Sequence, residues 1–263
     1  MKRLLVLIAA ASVLPACYCG TYDPYYYNYA YFDPYYYGYD ATYAYSTYDP
    51  YGVYYDSESS PQTIDLEAAA AAIAARAGEV YRHAECVKAT AAGSTVNYEL
   101  DNCDSRFAGK NISGRVAVVL SDEGGQFGFT VTSSNLRLNG DDYVLDFTAV
   151  GTSSGTQRTV TIDSKSRTSQ KDDSRMSTGT ITWEQGRPCL TINAQGTSAK
   201  KEVNLTSSVV DYQKCADACP TAGSVTVRGG EGEFSASFSP GSDKLRVVAP
   251  NGSDRVFGLQ CKF

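Results

Sequence analysis

The chain has 263 residues, of which 43% are hydrophobic, so it is long enough to bury a sizeable core. Its formal net charge is −6, and six acidic residues with no Lys or Arg between Tyr18 and Ser60 account for it. Residues 61–263 carry 21 basic and 23 acidic residues without a basic cluster. This balance argues against nucleic acid as a partner.

The N-terminus has the pattern of an export signal. Lys2 and Arg3 precede an apolar run over residues 4–16, which is too short to cross a bilayer that needs about 20 residues. The run ends in Leu14-Pro15-Ala16-Cys17. This motif resembles the lipobox of bacterial lipoproteins, with a branched apolar residue at −3, a small residue at −1 and the cysteine at +1.

The resemblance implies that residues 1–16 are removed and that Cys17 is lipidated, which anchors the chain in a membrane. In Gram-negative lipoproteins an Asp after this cysteine resembles an inner-membrane retention signal. Tyr18 stands there instead, which implies the outer membrane, on its periplasmic or its surface face. The alternative is an ordinary secretory signal that releases a soluble protein.

Residues 17–60 form a tyrosine-rich segment of their own. Of the 21 tyrosines, 17 lie between Tyr18 and Tyr55, in crude repeats around Asp-Pro. Aliphatic residues larger than alanine are nearly absent, so we expect a disordered tether that is dispensable for folding. A sticky segment that contacts sugars or other aromatic rings is the alternative, and hard-cation binding by Tyr and Asp oxygens is a weaker one.

Residues 61–263 are predicted to be one domain that begins with an Ala-rich helix. Leu66, Ile73, Val80 and Val87 follow one another at intervals of seven within residues 64–91, which predicts one helical face packed on a sheet. Gly93 is the expected terminator.

From Thr95 onward, apolar and polar residues alternate with the period of a β-strand. Turn sequences such as Asn139-Gly140 and Asn251-Gly252 separate the segments. We therefore predict a mainly β fold, an antiparallel meander of about 12 strands that forms a barrel or a sandwich. The predicted strands are 95–102, 112–120, 126–138, 142–150, 157–166, 176–185, 188–197, 202–210, 223–228, 232–239, 244–249 and 254–261.

Six cysteines of the predicted domain are expected to form three disulfides, because exported proteins favour them. Cys86 and Cys103 are paired across the helix-to-strand turn. For the other four we favour Cys189–Cys215 with Cys219–Cys261, and the alternative is Cys189–Cys219 with Cys215–Cys261. Cys19 is left over, and zinc binding by Cys215 and Cys219 lacks further ligands nearby in the sequence.

The sequence contains few candidates for catalysis. The single histidine, His83, is predicted to border the helix face and pack its ring. The acidic pairs Asp141-Asp142 and Asp172-Asp173 are expected to be solvated beside turns, although a glycosidase could use such pairs. Trp183 shares a strand face with Ile181, so we expect it in the core rather than as a sugar-stacking platform. No catalytic residue, metal site or cofactor is predicted.

We therefore expect a lipid-anchored envelope protein, not an enzyme, whose β domain does binding or structural work. Its expected partners are the membrane, through the anchor, and an envelope polysaccharide or protein. Two alternatives remain: a glycan-active hydrolase that uses a carboxylate pair, and a carrier that holds an apolar ligand in a barrel cavity.

Overall fold

The computed structural model describes residues 43–45, 47–48, 65–107, 111–122, 126–168, 173–200, 203–230, 232–241 and 243–259. Residues 43–45 and 47–48 are helical. They are followed by a longer helix, α1, and by thirteen strands. The bounds are α1 (Leu66–Arg76), β1 (Val87–Ala92), β2 (Thr95–Cys103), β3 (Ile112–Asp122), β4 (Phe127–Leu138), β5 (Asp141–Ser154), β6 (Gln157–Thr168), β7 (Asp173–Glu184), β8 (Cys189–Lys200), β9 (Val203–Cys215), β10 (Pro220–Gly229), β11 (Gly232–Phe238), β12 (Lys244–Val248) and β13 (Asp254–Gly258).

The strands form a single antiparallel sheet in which each strand pairs with the next one along the chain. The order runs from β1 to β13 without a crossover, and the sheet is not closed, so β1 and β13 are its edges. The prediction of a mainly β meander is confirmed. Each of the twelve predicted strands corresponds to one of β2–β13.

One face of the sheet is buried and the other is exposed, as the alternation predicts. On β5, for example, Leu145, Phe147 and Ala149 are buried while the residues between them are partly or fully exposed. We call the buried side the inner face. Trp183 and Ile181 on β7 both lie on it, at 3% and 0% exposure, which confirms that the tryptophan belongs to the core.

The sheet curls so that distant strands meet over the inner face. Register shifts bend several strand pairs, among them β3–β4, β4–β5 and β8–β9. The amide of Asp217, after β9, donates to the carbonyl of Arg106, after β2, at 3.0 Å. Six strands lie between β2 and β9 in the sheet order. A flat sheet could not form this hydrogen bond.

Helix α1 is shorter than predicted. Asp65 caps its first turn by accepting from the Ala68 amide at 3.0 Å, and the buried residues Ala69, Ala70 and Ile73 face β1, β2 and β3. A helix packed on the sheet is therefore confirmed. No helix within the described residues is long and apolar enough to cross a bilayer.

The predicted continuation of the helix to Ala91 is wrong. After Arg76 the chain forms 3₁₀ turns at Ala77–Val80 and Ala84–Cys86, and Val87–Ala92 is strand β1. This stretch pairs with Thr95–Leu100 of β2, which supplies backbone hydrogen bonds between strands in place of helical ones. Gly93, at φ 57°, lies in the hairpin turn rather than at a helix end.

His83 lies outside any helix, which corrects the prediction that it borders a helical face. Its backbone is extended, and its side chain is 67% exposed with Nδ1 3.8 Å from Glu85 Oε1. The ring therefore packs against no sheet.

Two of the predicted disulfides are present, Cys86–Cys103 and Cys189–Cys215. The first ties the segment before β1 to the end of β2, and the second joins directly opposed residues of β8 and β9. Cys219 is also disulfide-bonded. Its predicted partner, Cys261, lies outside the described residues.

Replacing both Cys86 and Cys103 with Ala should lower the free energy of unfolding by about 3 kcal/mol, since the disulfide closes a loop of 17 residues. Urea unfolding followed by circular dichroism measures the loss. If the double variant and the wild type unfold at the same urea concentration, the disulfide contributes nothing to the stability of this fold.

Candidate functional site

Part of the tyrosine-rich segment lies in the core, which corrects the expectation that it gives the core nothing to bury. Tyr43 is 0% exposed and Tyr48 is 2% exposed, and Tyr45 is also buried. They belong to the same hydrophobic cluster as the inner face of the sheet. Apart from these three tyrosines, Ala44 and Thr47, the predicted tether lies outside the described residues.

Tyr48 occupies a slot that a glycine leaves open. Gly151 is on the inner face of β5, and the atoms nearest to an added Cβ would be ring carbons of Tyr48, closer than any real Cβ contact. The same ring contacts Phe127 at 5.8 Å and Trp183 at 6.0 Å between centroids. Strands β4, β5 and β7 therefore all hold this one side chain.

Tyr45 bridges two parts of the curled sheet. Its ring centroid lies 5.3 Å from that of Phe107, just after β2, and 5.4 Å from that of Trp183 on β7. Such tilted aromatic contacts contribute more than the burial of their area alone. Tyr45 thus fills the space between Phe107, after β2, and Trp183 on β7.

Tyr43 meets two further tyrosines. It contacts Tyr98 of β2 edge to face at 5.9 Å, and the Tyr81 hydroxyl donates to its oxygen at 3.4 Å. Burial, together with Tyr43 and Tyr98, raises the pKa of the Tyr81 hydroxyl well above its usual value of 10.0. Tyr81 is therefore a neutral hydrogen-bond donor at physiological pH.

We call the surface that receives Tyr43, Tyr45 and Tyr48 the tyrosine site. Aromatic rings from four separate parts of the chain form it, together with one glycine. Its residues are Tyr81, Tyr98, Phe107, Phe127, Gly151 and Trp183.

Beside the tyrosine site, a cleft of about 180 Å³ opens at the rim of the sheet. It lies where the segment after α1, the end of β2, the β7–β8 turn and the segment after β9 come together. Tyr45 is part of its wall, so the rim cleft and the tyrosine site are continuous. The lining residues are Tyr45, Arg76, Glu79, Arg106, Phe107, Gly186, Pro188 and Ala216.

The charges around the rim cleft are paired. Arg76 Nη2 lies 2.7 Å from Glu79 Oε2, and Arg106 Nε lies 2.8 Å from Asp217 Oδ2. Arg82 is the second guanidinium near Asp217, at 3.3 Å. The two Asp217 pairs connect the segment after β9 to the segments around Arg82 and Arg106, and both carboxylates of the rim are bound to arginine.

The other predicted site residues are dispersed or lie outside the described residues. Cys17 and Asp172 lie outside the described residues. Asp142 is exposed and paired with Arg137 at 3.0 Å, as expected for a solvated turn. Among the residues that the structure describes, no three His, Cys, Asp or Glu side chains are grouped as metal ligands.

The burial of two arginines was not predicted from the sequence. Arg158 is fully buried on the inner face, where its guanidinium donates to Gly155 O and to Gln185 Oε1, each at 2.6 Å. Arg175 is also buried and donates to Ser177 Oγ at 2.9 Å. Strand alternation could have found both, since Arg158 is in phase with Val160 and Arg175 with Ser177.

Comparison with protein-family models, with curated proteins and with solved structures finds no match for this chain.

Gly151→Ala should destabilise the fold by about 1–3 kcal/mol, the usual cost of overpacking a filled core, because the added methyl group meets the ring of Tyr48. Gly258→Ala is the matched control, since an added Cβ there has no atom within 4 Å. We expect that control to stay within about 0.5 kcal/mol of the wild type. Equal effects of the two variants in urea unfolding would contradict the packing of Tyr48 on Gly151.

Stability should fall at alkaline pH, in part through Tyr81. Its folded pKa is raised, so its contribution is fully present below the unfolded pKa of about 10 and is lost as the pH rises above that value. Tyr81→Phe should therefore lose less free energy of unfolding than the wild type between about pH 9 and about pH 11. Urea unfolding at the two pH values measures this, and equal losses in both proteins would contradict it.

Proposed function

We propose that this chain is an exported lipoprotein, anchored at Cys17 in the outer membrane, whose β domain does binding or structural work at the cell envelope. The single observation that carries the proposal is Leu14-Pro15-Ala16-Cys17 after a short apolar run with Lys2 and Arg3 before it. In this proposal the tyrosine site is where the segment that follows the anchor joins the folded domain.

The disulfides support export. Cys86–Cys103 and Cys189–Cys215 are the bonds of a protein that matures in an oxidising compartment. A periplasmic or surface location provides such conditions, whereas cytosolic thiols are kept reduced.

The carboxylates of the rim cleft do not favour the hydrolase alternative. A glycosidase needs one carboxyl group that can donate a proton and a second that acts as base or nucleophile. Glu79 accepts three hydrogen bonds from Arg76, at 2.7–3.1 Å, and Asp217 lies between Arg82 and Arg106. Both carboxylates are therefore already engaged by arginine side chains of the protein itself.

The packing of the tyrosines does not favour the carrier alternative. A carrier needs an apolar cavity that its ligand can enter. At the tyrosine site, side chains of the protein itself cover the inner face, and Tyr43 and Tyr48 are almost completely buried. A ligand would have to displace three aromatic rings to reach the core there.

The position of Tyr43 sets the distance between fold and membrane in this proposal. Residues 18–42 connect the anchor to the first packed tyrosine, and 25 residues span at most about 85 Å when extended. The domain can therefore stand clear of the lipid surface. It does so on a shorter tether than the whole tyrosine-rich segment would supply.

Cys17→Ser should abolish incorporation of a labelled fatty acid and move the protein from the membrane fraction to the soluble fraction. The reason is that the thioether to lipid needs the sulfur of Cys17, and without acyl chains no apolar anchor remains. Metabolic labelling and fractionation of cells that express the full chain measure both effects.

Cys19→Ser is the control, because it removes a thiol two residues away and leaves the lipobox intact. This variant should remain labelled and membrane-bound. If Cys17→Ser keeps its label and stays in the membrane fraction, the proposed lipoprotein function is wrong.

A further inference from the structure

The tyrosine site recognises a spacing of aromatic residues. Its occupant presents rings at positions 43, 45 and 48, and these contact Tyr98, Phe107 and Phe127 respectively, while the second and third rings share a contact with Trp183. Asp49 and Pro50 follow in the sequence. The rings of the occupant are therefore spaced as aromatic-x-aromatic-x-x-aromatic, where x stands for the residues between the rings, and Asp-Pro follows them in the sequence.

The same pattern occurs once more, 16 residues earlier. Tyr27, Tyr29 and Phe32 have the spacing of the three seated tyrosines, and Asp33-Pro34 follows them. The Asp-Pro at positions 23–24 lacks this pattern, because cysteines stand at the two upstream ring positions. We call residues 43–50 the downstream motif and residues 27–34 the upstream motif.

We propose that the upstream motif is a second ligand of the tyrosine site, which it occupies when the downstream motif leaves. The rings at positions 27 and 29 match Tyr43 and Tyr45, and Phe32 supplies the ring that fits over Gly151. This proposal concerns the folded domain and its own segment, and it does not depend on lipidation at Cys17.

Two positions explain why the downstream motif is the one seated. Ala44 and Thr47 are both fully buried, and the upstream motif has Asn28 and Tyr31 in their places. Larger or more polar side chains at buried positions weaken the fit. The upstream motif is therefore the weaker of the two ligands.

The chain geometry allows the exchange at low cost. Sixteen residues connect Tyr48 to Asp65, and 32 residues connect Phe32 to Asp65. Doubling a flexible loop lowers its closure probability only about threefold. The exchange would shorten the stretch between Cys17 and the seated motif from 25 to nine residues.

Three variants of the full chain test the proposal by thermal unfolding. The first carries Tyr43→Ala, Tyr45→Ala and Tyr48→Ala, the second carries Tyr27→Ala, Tyr29→Ala and Phe32→Ala, and the third carries all six changes. We expect the second variant to have the melting temperature of the wild type, because the downstream motif still occupies the site. The first should melt lower, and the third should melt lower still by roughly 3–6 °C, because nothing then replaces the lost rings.

The matched control combines the first variant with Tyr35→Ala, Tyr36→Ala and Tyr37→Ala. It removes as many tyrosines as the third variant, yet it leaves the upstream motif intact. Its melting temperature should equal that of the first variant. Equal melting temperatures of the first and third variants would overturn the proposal, and so would a control as unstable as the third variant.

Two variants with fewer substitutions test the same exchange if the triple variants do not fold. Tyr48→Ala alone should be more stable than Tyr48→Ala with Phe32→Ala, since only the single variant keeps a ring for the slot over Gly151. Hydrogen exchange should then show new protection at residues 27–32 in Tyr48→Ala. No protection there would contradict the exchange.

Light scattering identifies which chain supplies the motif. Because covalent linkage can give the chain's own segment an effective concentration in the millimolar range, we expect the first variant to remain a monomer. A doubled mass, with a melting temperature that rises with protein concentration, would instead assign the upstream motif to a second copy. That result would overturn the intramolecular exchange.

Discussion

The whole structure depends on covering the inner face of an open sheet. Thirteen antiparallel strands bury one side only, and an open sheet of this size has to curl or be covered to remove that side from water. Here it does both. Bulges bend the strands until the end of β2 meets the segment after β9, α1 covers β1–β3, and Tyr43, Tyr45 and Tyr48 cover the centre. The tyrosines are therefore part of the core as well as part of the connection to the N-terminus.

Polar contacts join the parts that curling brings together. Asp217 receives Arg106 and Arg82 from the other side of the curl, while the Cys189–Cys215 disulfide holds the strand that leads to it. Ion pairs this close to solvent contribute little stability by themselves. The Asp217 pairs instead specify which segments meet, because this carboxylate accepts from Arg82 and Arg106, which are distant from it in sequence. The rim cleft results from this junction, with Tyr45 as its aromatic wall.

A short aromatic segment from the N-terminal part of the chain packs into its own domain and shares one hydrophobic cluster with the inner face of the sheet. Aromatic rings suit this role, since they bury a large area at a small cost in side-chain entropy. Gly151 shows how specific the contact is, because any other residue at that position would occupy the space of the Tyr48 ring.

The sequence by itself determined the twelve strands β2–β13, the burial of Trp183 and the pair Cys86–Cys103, and it left Cys189–Cys215 as the favoured of two alternatives. These depend on local alternation, turn residues and spacing, which short-range physics sets. Only the tertiary structure decided the remaining features. Val87–Ala92 fits a helix or a strand equally well until β2 is there to pair with it. His83 is exposed because that helix ends early. Tyr43, Tyr45 and Tyr48 resemble the other tyrosines around them, and only the slot over Gly151 and the rings of Phe107 and Trp183, assembled from distant strands, distinguish them.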